Sequence, residues 1–264
     1  MKQNKKKLNI LGIIPARGGS KSIPRKNIVK INGHPLIAYT IAEALKSKLI
    51  THLIVSSDDD EIRAISEQYG CNAPFKRPKY LSSDKAKSVD CDLHATHFME
   101  KKLGIKFDFV IELMCTNPFK TVRDIDTVLR LHIKTNADSV IGVVKLDDHH
   151  PLRIKKIVNG RIQNFTNNLK EIPESRRQDL KPDAYIRNGS IYSMRRDMLE
   201  IGIRHGSKDS LAYIMPKERT VNIDEKLDLI IAKEMMKQKP RSHVRPILSL
   251  KSAQGKIKNN EYFE

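Results

Sequence analysis

The sequence predicts an α/β fold: a mostly parallel sheet covered by helices on both faces, with a β-hairpin inserted late in the chain. Three observations predict it. Short apolar runs alternate with longer segments of helical period through residue 144, the order that builds βαβ units. The alternation breaks near residue 145, where two β-like runs flank Asn159-Gly160, a dipeptide suited to a two-residue hairpin turn. The chain has 264 residues, enough for one large α/β domain or a domain with an appendage.

The elements follow in order. "LNILGII" (8–14) is a short apolar run that reads as a buried strand. "PLIAYTIAEALKS" (35–47) opens with proline and keeps helical spacing. "HLIVSS" (52–57) is strand-like, and "DDEIRAISEQYG" (59–70) is a helix begun by acids and stopped by Gly70. A polar loop, "KRPKYLSSDKAK", leads to a helix over 88–104 that ends on glycine. "FDFVIELM" (107–114) is a strand, "VRDIDTVLRLHIK" (122–134) a helix and "DSVIGVV" (138–144) a strand. The hairpin follows over 153–165. After a polar stretch come "NGSIYSM" (188–194), a helix near 195–204, "LAYIMP" (211–216), "TVNI" (220–223) and a closing helix over 224–237. This gives a domain over residues 8–236, an arm at about 145–187 and a basic tail over 237–264 whose composition does not read as core. The hairpin has two readings, an arm for a partner subunit or a surface flap.

Composition excludes several classes. No stretch of 18 apolar residues exists, so no helix is expected to span a membrane. "MKQNKKK" followed by "LNILGIIPA" imitates a signal peptide, but the apolar part is short, contains Asn9 and Pro15, and runs into cations and glycines. Cys71, Cys91 and Cys115 show no metal spacing and suit a reducing, cytoplasmic compartment. Tryptophan is absent and aromatics are few, which argues against a base-stacking surface.

The net charge is +18. Residues 2–7 hold four lysines and no acid, and residues 237–264 hold seven cations against two glutamates, which leaves +9 on residues 8–236. A body this basic suits a polyanionic ligand, either nucleic acid or a nucleotide with an acidic co-substrate. No helix-turn-helix, zinc or RNA-recognition signature accompanies the charge, which disfavours nucleic acid.

Three stretches carry candidate chemistry. "IIPARGGSKSIPRKN" (13–27) puts Gly18, Gly19 and Ser20 among Arg17, Lys21, Arg25 and Lys26 at a strand end. Bare backbone and cations there make a phosphate site, although the spacing is neither a P-loop nor a dinucleotide turn. The bland alternative is a tight surface turn with solvated lysines. Asp58, Asp59 and Asp60 also follow a strand. They either cap the next helix or hold a divalent metal, as in a glycosyltransferase that consumes a nucleotide sugar. Asp224 in "TVNIDEKLD" lies at a strand end before the last helix, either as a cap or as a ligand for Mg²⁺ beside phosphate oxygens.

The loop "IIPARGGSKSIPRKNI" resembles the signature of the acylneuraminate cytidylyltransferases, the CMP-sialic acid synthetase family. "LIVSSDDDEI", "KRPKYLSSD", "TNPFKTVRDID", "DHHP", "RRQDLKPDAYIRNGSIY" and "VNIDEKLD" follow in the family's order, and the resemblance covers roughly residues 8–236. It implies a three-layer Rossmann-like nucleotidyltransferase domain. It also implies transfer of CMP from CTP to the 2-hydroxyl of an acidic nine-carbon sugar, with release of pyrophosphate, and a homodimer joined through the hairpin arm.

By the same resemblance, Gly18, Gly19, Ser20, Arg17 and Lys21 hold the triphosphate, with Lys26 and Asn27 at its far end. Arg77 and Ser88 lie at the cytosine and ribose. His150, Arg177, Asn188 and Tyr192 face the sugar, and Asp224 holds Mg²⁺, or Mn²⁺ in its place. The sequence departs from the family at three points. Met114 stands where a sugar-associated Gln is usual, which bears on which sugar is taken. Asn222 stands where a second Asp is usual, leaving a carbonyl oxygen as the weaker ligand. Ser22 stands where Gly is usual.

Overall fold

The structure, a computed structural model, describes residues 7–166, 176–249 and 251. The expected arm and tail therefore lie partly outside the described residues. In chain order the strands are β1 (Ile10–Pro15), β2 (Lys30–Ile31), β3 (His34–Pro35), β4 (His52–Ser56), β5 (Phe109–Leu113), β6 (Ser139–Lys145), β7 (Lys155–Val158), β8 (Arg161–Asn164), β9 (Tyr185–Arg195) and β10 (Ser210–Ile214). The helices are α1 (Leu36–Ala44), α2 (Asp60–Gln68), α3 (Ser88–Leu103), α4 (Val122–Thr135), α5 (Arg196–Glu200) and α6 (Lys226–Gln238).

Six strands form one sheet in the order β10-β6-β9-β5-β1-β4. β1 pairs parallel with β4 and β5, and β10 pairs parallel with β6. Both faces are buried, so β1 reads as a continuous apolar run rather than an alternating one. Ile10 and Ile14 pack in a core with residues of α1, α2, α4 and α6, while Leu11 and Ile13 pack with α3 and α5 on the other face. The α4 residue His132 is fully buried and lies between the Ser193 hydroxyl (2.7 Å from Nδ1) and the Ala137 carbonyl (2.9 Å from Nε2). Burial pushes its pKa down to about 4, so the ring is neutral at physiological pH.

β9 runs antiparallel to both of its neighbours. This reversal brings the start of a late strand to the carboxyl edge of β1 and β5. Met114 N donates to Ser190 O at 3.0 Å there. The β6–β9 register shifts between Ile141 and Val143. At Gly142, between them, a Cβ would stand 2.9 Å from Asn188 Oδ1.

β7 and β8 form a separate two-stranded sheet. Asn159 and Gly160 both have positive φ, 50° and 73°, as the expected hairpin turn requires. Two features differ from the sequence reading. "TVNI" pairs into no strand, and a small β2–β3 hairpin turns on Asn32-Gly33.

The segment set aside as tail also departs from expectation, because residues 241–248 return to the domain. Val244 is buried in the core. Arg241 donates to the carbonyls of Phe119 (2.7 Å) and Lys120 (2.9 Å). His243 lies 2.7 Å from Glu43 Oε1, and the Ile247 and Leu248 amides both donate to Gln68 O. Composition failed here because one apolar residue and one guanidinium, correctly placed, are enough to dock a polar segment.

Candidate active site

A cleft of about 630 Å³ opens at the carboxyl ends of β1 and β5, beside the start of β9. Open α/β sheets bind ligands at this edge. Its walls gather Arg17, Ser20, Lys21, Lys26, Asn27, Arg77, Ser88, Asn222 and Asp224, residues drawn from four separate stretches of sequence.

The loop after β1 is anchored from beneath. Gly18 N donates to Asp58 Oδ1 at 3.0 Å. A Cβ on Gly18 would stand 2.7 Å from Asp59 Oδ2, so this glycine permits a close approach. Arg25, in the left-handed region at φ 55°, donates to both oxygens of Asp59 and to Glu61. Asn27 Nδ2 donates to Arg17 O at 2.9 Å. Gly18 and Gly19 thus shape the turn without lining the cleft, while the cations face it. Arg17 and Lys21 both meet Asp84, at 2.8 and 2.5 Å, and Lys21 remains 81% exposed. These two cations, Lys21 first, hold the Asp84 carboxyl below its usual range. Asp84 was not singled out in the sequence, where it is one acid in a polar loop.

Each carboxylate of the Asp58–Asp60 run has a structural partner. Asp58 accepts from Gly18, and Asp59 caps α2 by accepting from Ile62 N at 2.9 Å. Asp60 meets Arg63 at 3.0 Å and Lys76 at 2.5 Å. Capping is therefore the role the geometry supports, and the metal motif of a glycosyltransferase finds no free carboxylate here.

Asp224 does not cap α6. Glu225 is the cap, in a reciprocal capping box with Asp228. Asp224 instead turns to the cleft. Its Oδ1 accepts from Lys26 Nζ at 3.0 Å, its Oδ2 accepts from Asn222 Nδ2, and its main-chain carbonyl accepts from the Ser22 hydroxyl. Asn222 Oδ1 is buried with no hydrogen-bond partner. Gly189, at φ +62°, packs against Asn222, where a Cβ would lie 3.1 Å from that oxygen. A flip of the Asn222 amide, which now turns its nitrogen to Asp224, would set that oxygen beside the Asp224 carboxylate as a pair of hard oxygen donors. Among the described residues no group of three or more His, Cys, Asp or Glu is placed to hold a metal. A cation held by this pair would need its other ligands from substrate and water.

The floor of the cleft is of a different kind. Arg77 and Glu112 are buried, and with Cys91 and Met114 they close its deep end. Glu112 Oε2 accepts from Arg204 Nε. Sequence reasoning missed Glu112, although an acid inside the apolar run "FVIEL" is itself a signal. Arg204 carried no signal.

The residues expected to face the sugar are not gathered here. His150 caps a short helical turn and sits 2.8 Å from Pro182 O, and exposed Arg177 pairs with Asp148 at 2.6 Å. Both line a separate hollow of about 290 Å³. Asn188 is buried against Met215 Sδ, and Tyr192 lies under the Arg204 guanidinium, 3.6 Å from the ring centroid.

Comparison with known proteins agrees with this geometry. A family model described as cytidylyltransferase matches residues 11–232. A pseudaminic acid cytidylyltransferase of Campylobacter jejuni is 33% identical over 228 residues, covering 86% of this chain and 96% of that protein. A CMP-N,N'-diacetyllegionaminic acid synthase of Campylobacter jejuni is 30% identical over 230 residues, covering 87% and 96%. A solved CMP:2-keto-3-deoxy-manno-octonic acid synthetase complexed with CTP superposes with a TM-score of 0.63 at 20% identity, over 88% of this chain and 99% of that one.

Proposed function

Since this chain belongs to the cytidylyltransferase family, we propose that it transfers CMP from CTP to the anomeric 2-hydroxyl of an acidic nine-carbon 2-keto sugar, releasing pyrophosphate. The observation that carries the reading is the cleft itself. Arg17, Lys21 and Lys26 from one glycine loop and the Asp224 carboxylate from a distant turn line one space of nucleotide size. The relatives named for pseudaminic and legionaminic acids support a nonulosonic acid as acceptor.

The chemistry needs positioning and charge cancellation more than covalent help. Arg17 and Lys21 leave Asp84 for the β- and γ-phosphates, and Ser20 and Asn27 orient them. The sugar hydroxyl attacks the α-phosphorus in line, the bond to the β-phosphate oxygen breaks, and the cations stabilise the departing pyrophosphate. Lys26 lies beside Asp224 and screens its charge from the phosphates. Asp224, with Asn222 Oδ1 once its amide is flipped, would hold Mg²⁺, or Mn²⁺ in its place, and the ion would neutralise phosphate oxygens. The three buried free thiols and the nucleotide substrate fit a reducing, cytoplasmic setting.

The test is purified protein with CTP, Mg²⁺ and a panel of nonulosonic acids, followed by pyrophosphate release. Lys21→Ala in the same assay lowers turnover by about a hundredfold or more with the fold retained. Release of free nucleotide from a CMP-sugar, with no pyrophosphate formed from CTP, marks a glycosyltransferase instead.

The reading includes a homodimer. Ile157 and Ile162 are directly paired across β7–β8 and project on one face, 76% and 74% exposed. An exposed apolar pair of this kind offers contact area for a second subunit, and His150 and Arg177 stand apart from the cleft. Ile157→Asp should convert a dimer to a monomer in sedimentation without lowering the melting temperature of the fold. A monomeric parent sinks the proposal.

A further inference from the structure

The cleft has two electrostatic characters. Its mouth is cationic and wet, with Lys21 and Arg17 exposed. Its floor carries Glu112, only 1% exposed. A phosphate cannot settle against a buried carboxylate, because like charges repel strongly where water is scarce. A nucleotide bound here therefore puts its phosphates at the loop and its uncharged end on the floor.

The floor holds one carboxylate in place. Glu112 alternates with Val110 on the face of β5 that packs against α3. Arg204 bonds its Oε2 and lies across Tyr192, the residue paired with Glu112 in the β5–β9 register. Behind it Asp92, also 1% exposed, has no hydrogen-bond partner for either oxygen and lies 4.0 Å from Arg204 Nε. Burial first, and then the Glu112 charge, push the Asp92 carboxyl well up, and the Arg204 guanidinium bonded to Glu112 Oε2 supplies a counter-charge there. A carboxylate offers about four lone-pair sites, so Glu112 retains acceptor capacity toward the cleft. Beside it, Arg77 donates from Nη2 to Ser56 O at 3.0 Å, while its Nε is buried and unpartnered. The Glu112 acceptor and the Arg77 guanidinium thus line the same end of the cleft.

We propose that Glu112 is a specificity-determining residue, accepting a hydrogen bond from an N–H group of the substrate at the closed end of the cleft. The exocyclic amine of cytosine is the source the floor fits best. Cytosine carries an amine donor at position 4 and acceptors beside it, and carboxylates are suited to accept from that amine. Uracil has a carbonyl at the same position, which would meet the carboxylate lone pair to lone pair. The other source of an N–H is an acylamino substituent of the sugar. The inference rests on the functional reading above, since it needs a cytidine nucleotide in this cleft.

The test is calorimetric binding of CTP and UTP to the full chain, which needs no knowledge of the sugar. The parent should prefer CTP by about a hundredfold or more, as sites with a buried polar reader do. Glu112→Gln, whose amide presents either N–H or C=O, should shrink that preference to about tenfold or less. Because this variant leaves Arg204 without its counter-charge, Glu112→Gln/Arg204→Gln is measured beside it and must show the same narrowing. If the nucleotide preference is unchanged but KM rises for acylamino sugars and not for their hydroxy analogues, Glu112 reads the sugar, which keeps the proposal with its second source. If both are unchanged in folded variants, the proposal is overturned while the functional reading stands. If the parent binds neither nucleotide, both fall.

Discussion

Asp224→Ala abolishes measurable pyrophosphate release, a loss of about a thousandfold or more, while the chain keeps its fold. Among the described residues, Asp224 is one of three carboxylates that line the cleft, with Asp84 and the buried Glu112. It is also removable. The side chain is 62% exposed, and α6 keeps its capping box because Glu225 and Asp228 supply it. Circular dichroism and the melting temperature of Asp224→Ala should therefore match the parent. The companion variant is Asn222→Asp. It removes the Asn222 donor to Asp224 and sets two like charges together, so it should lower stability slightly without metal. With metal, the second carboxylate strengthens a hard-cation site and lowers the Mg²⁺ needed for half-maximal rate several-fold. An unchanged Mg²⁺ requirement would show that position 222 is not a ligand.

Ending the chain at Gln238 costs about 4 kcal/mol of stability, a large share of the 5–15 kcal/mol typical of a domain. Val244 leaves the core, and the carbonyls of Phe119 and Lys120 lose their Arg241 donors. Those carbonyls belong to the turn that follows β5. Lys120, fully buried, ties the same turn by donating to Thr40 Oγ1, Met114 O and Asn117 O. Ile223 N donates to Thr116 O at 2.8 Å and links this turn to Asn222 and Asp224. Loss of residues 239–264 should therefore raise the Mg²⁺ requirement as well as lower the denaturation midpoint. A chain ending at Ser249 keeps every contact named here and is the control. Parent-like stability in the Gln238 chain would refute the docking of this segment. Single-site support comes from Arg241→Ala, which should reproduce part of both effects.

Much of this was legible in the residues. The apolar runs of β1, β4, β5 and β6 are buried on both faces, so their composition announces them. Asn159-Gly160 fixed its hairpin because both residues tolerate positive φ. The glycine loop and its cations were legible because phosphate chemistry needs those residue types close together in sequence. The Asp58–Asp60 run was ambiguous, since capping and metal binding use the same side chains. Only the partners Gly18, Arg25, Ile62, Arg63 and Lys76 decided between them.

The sequence by itself determined the alternating α/β order, the hairpin, the family and the glycine loop with its cations, because each rests on local pattern or on residues contiguous in the chain. The tertiary structure alone decided the rest. It inserted β9 antiparallel between β5 and β6, and so carried Gly189 and Ser190 to the edge of the cleft. It handed the α6 cap to Glu225 and freed Asp224. It brought Asp92, Glu112 and Arg204 together from a helix, a strand and a loop, and it returned Arg241 and Val244 to the core. Apart from the local Glu225–Asp228 capping box, each deciding contact joins residues far apart in the chain. Its energy comes from burial and charge pairing that exist only once the sheet has assembled, and no local pattern encodes it.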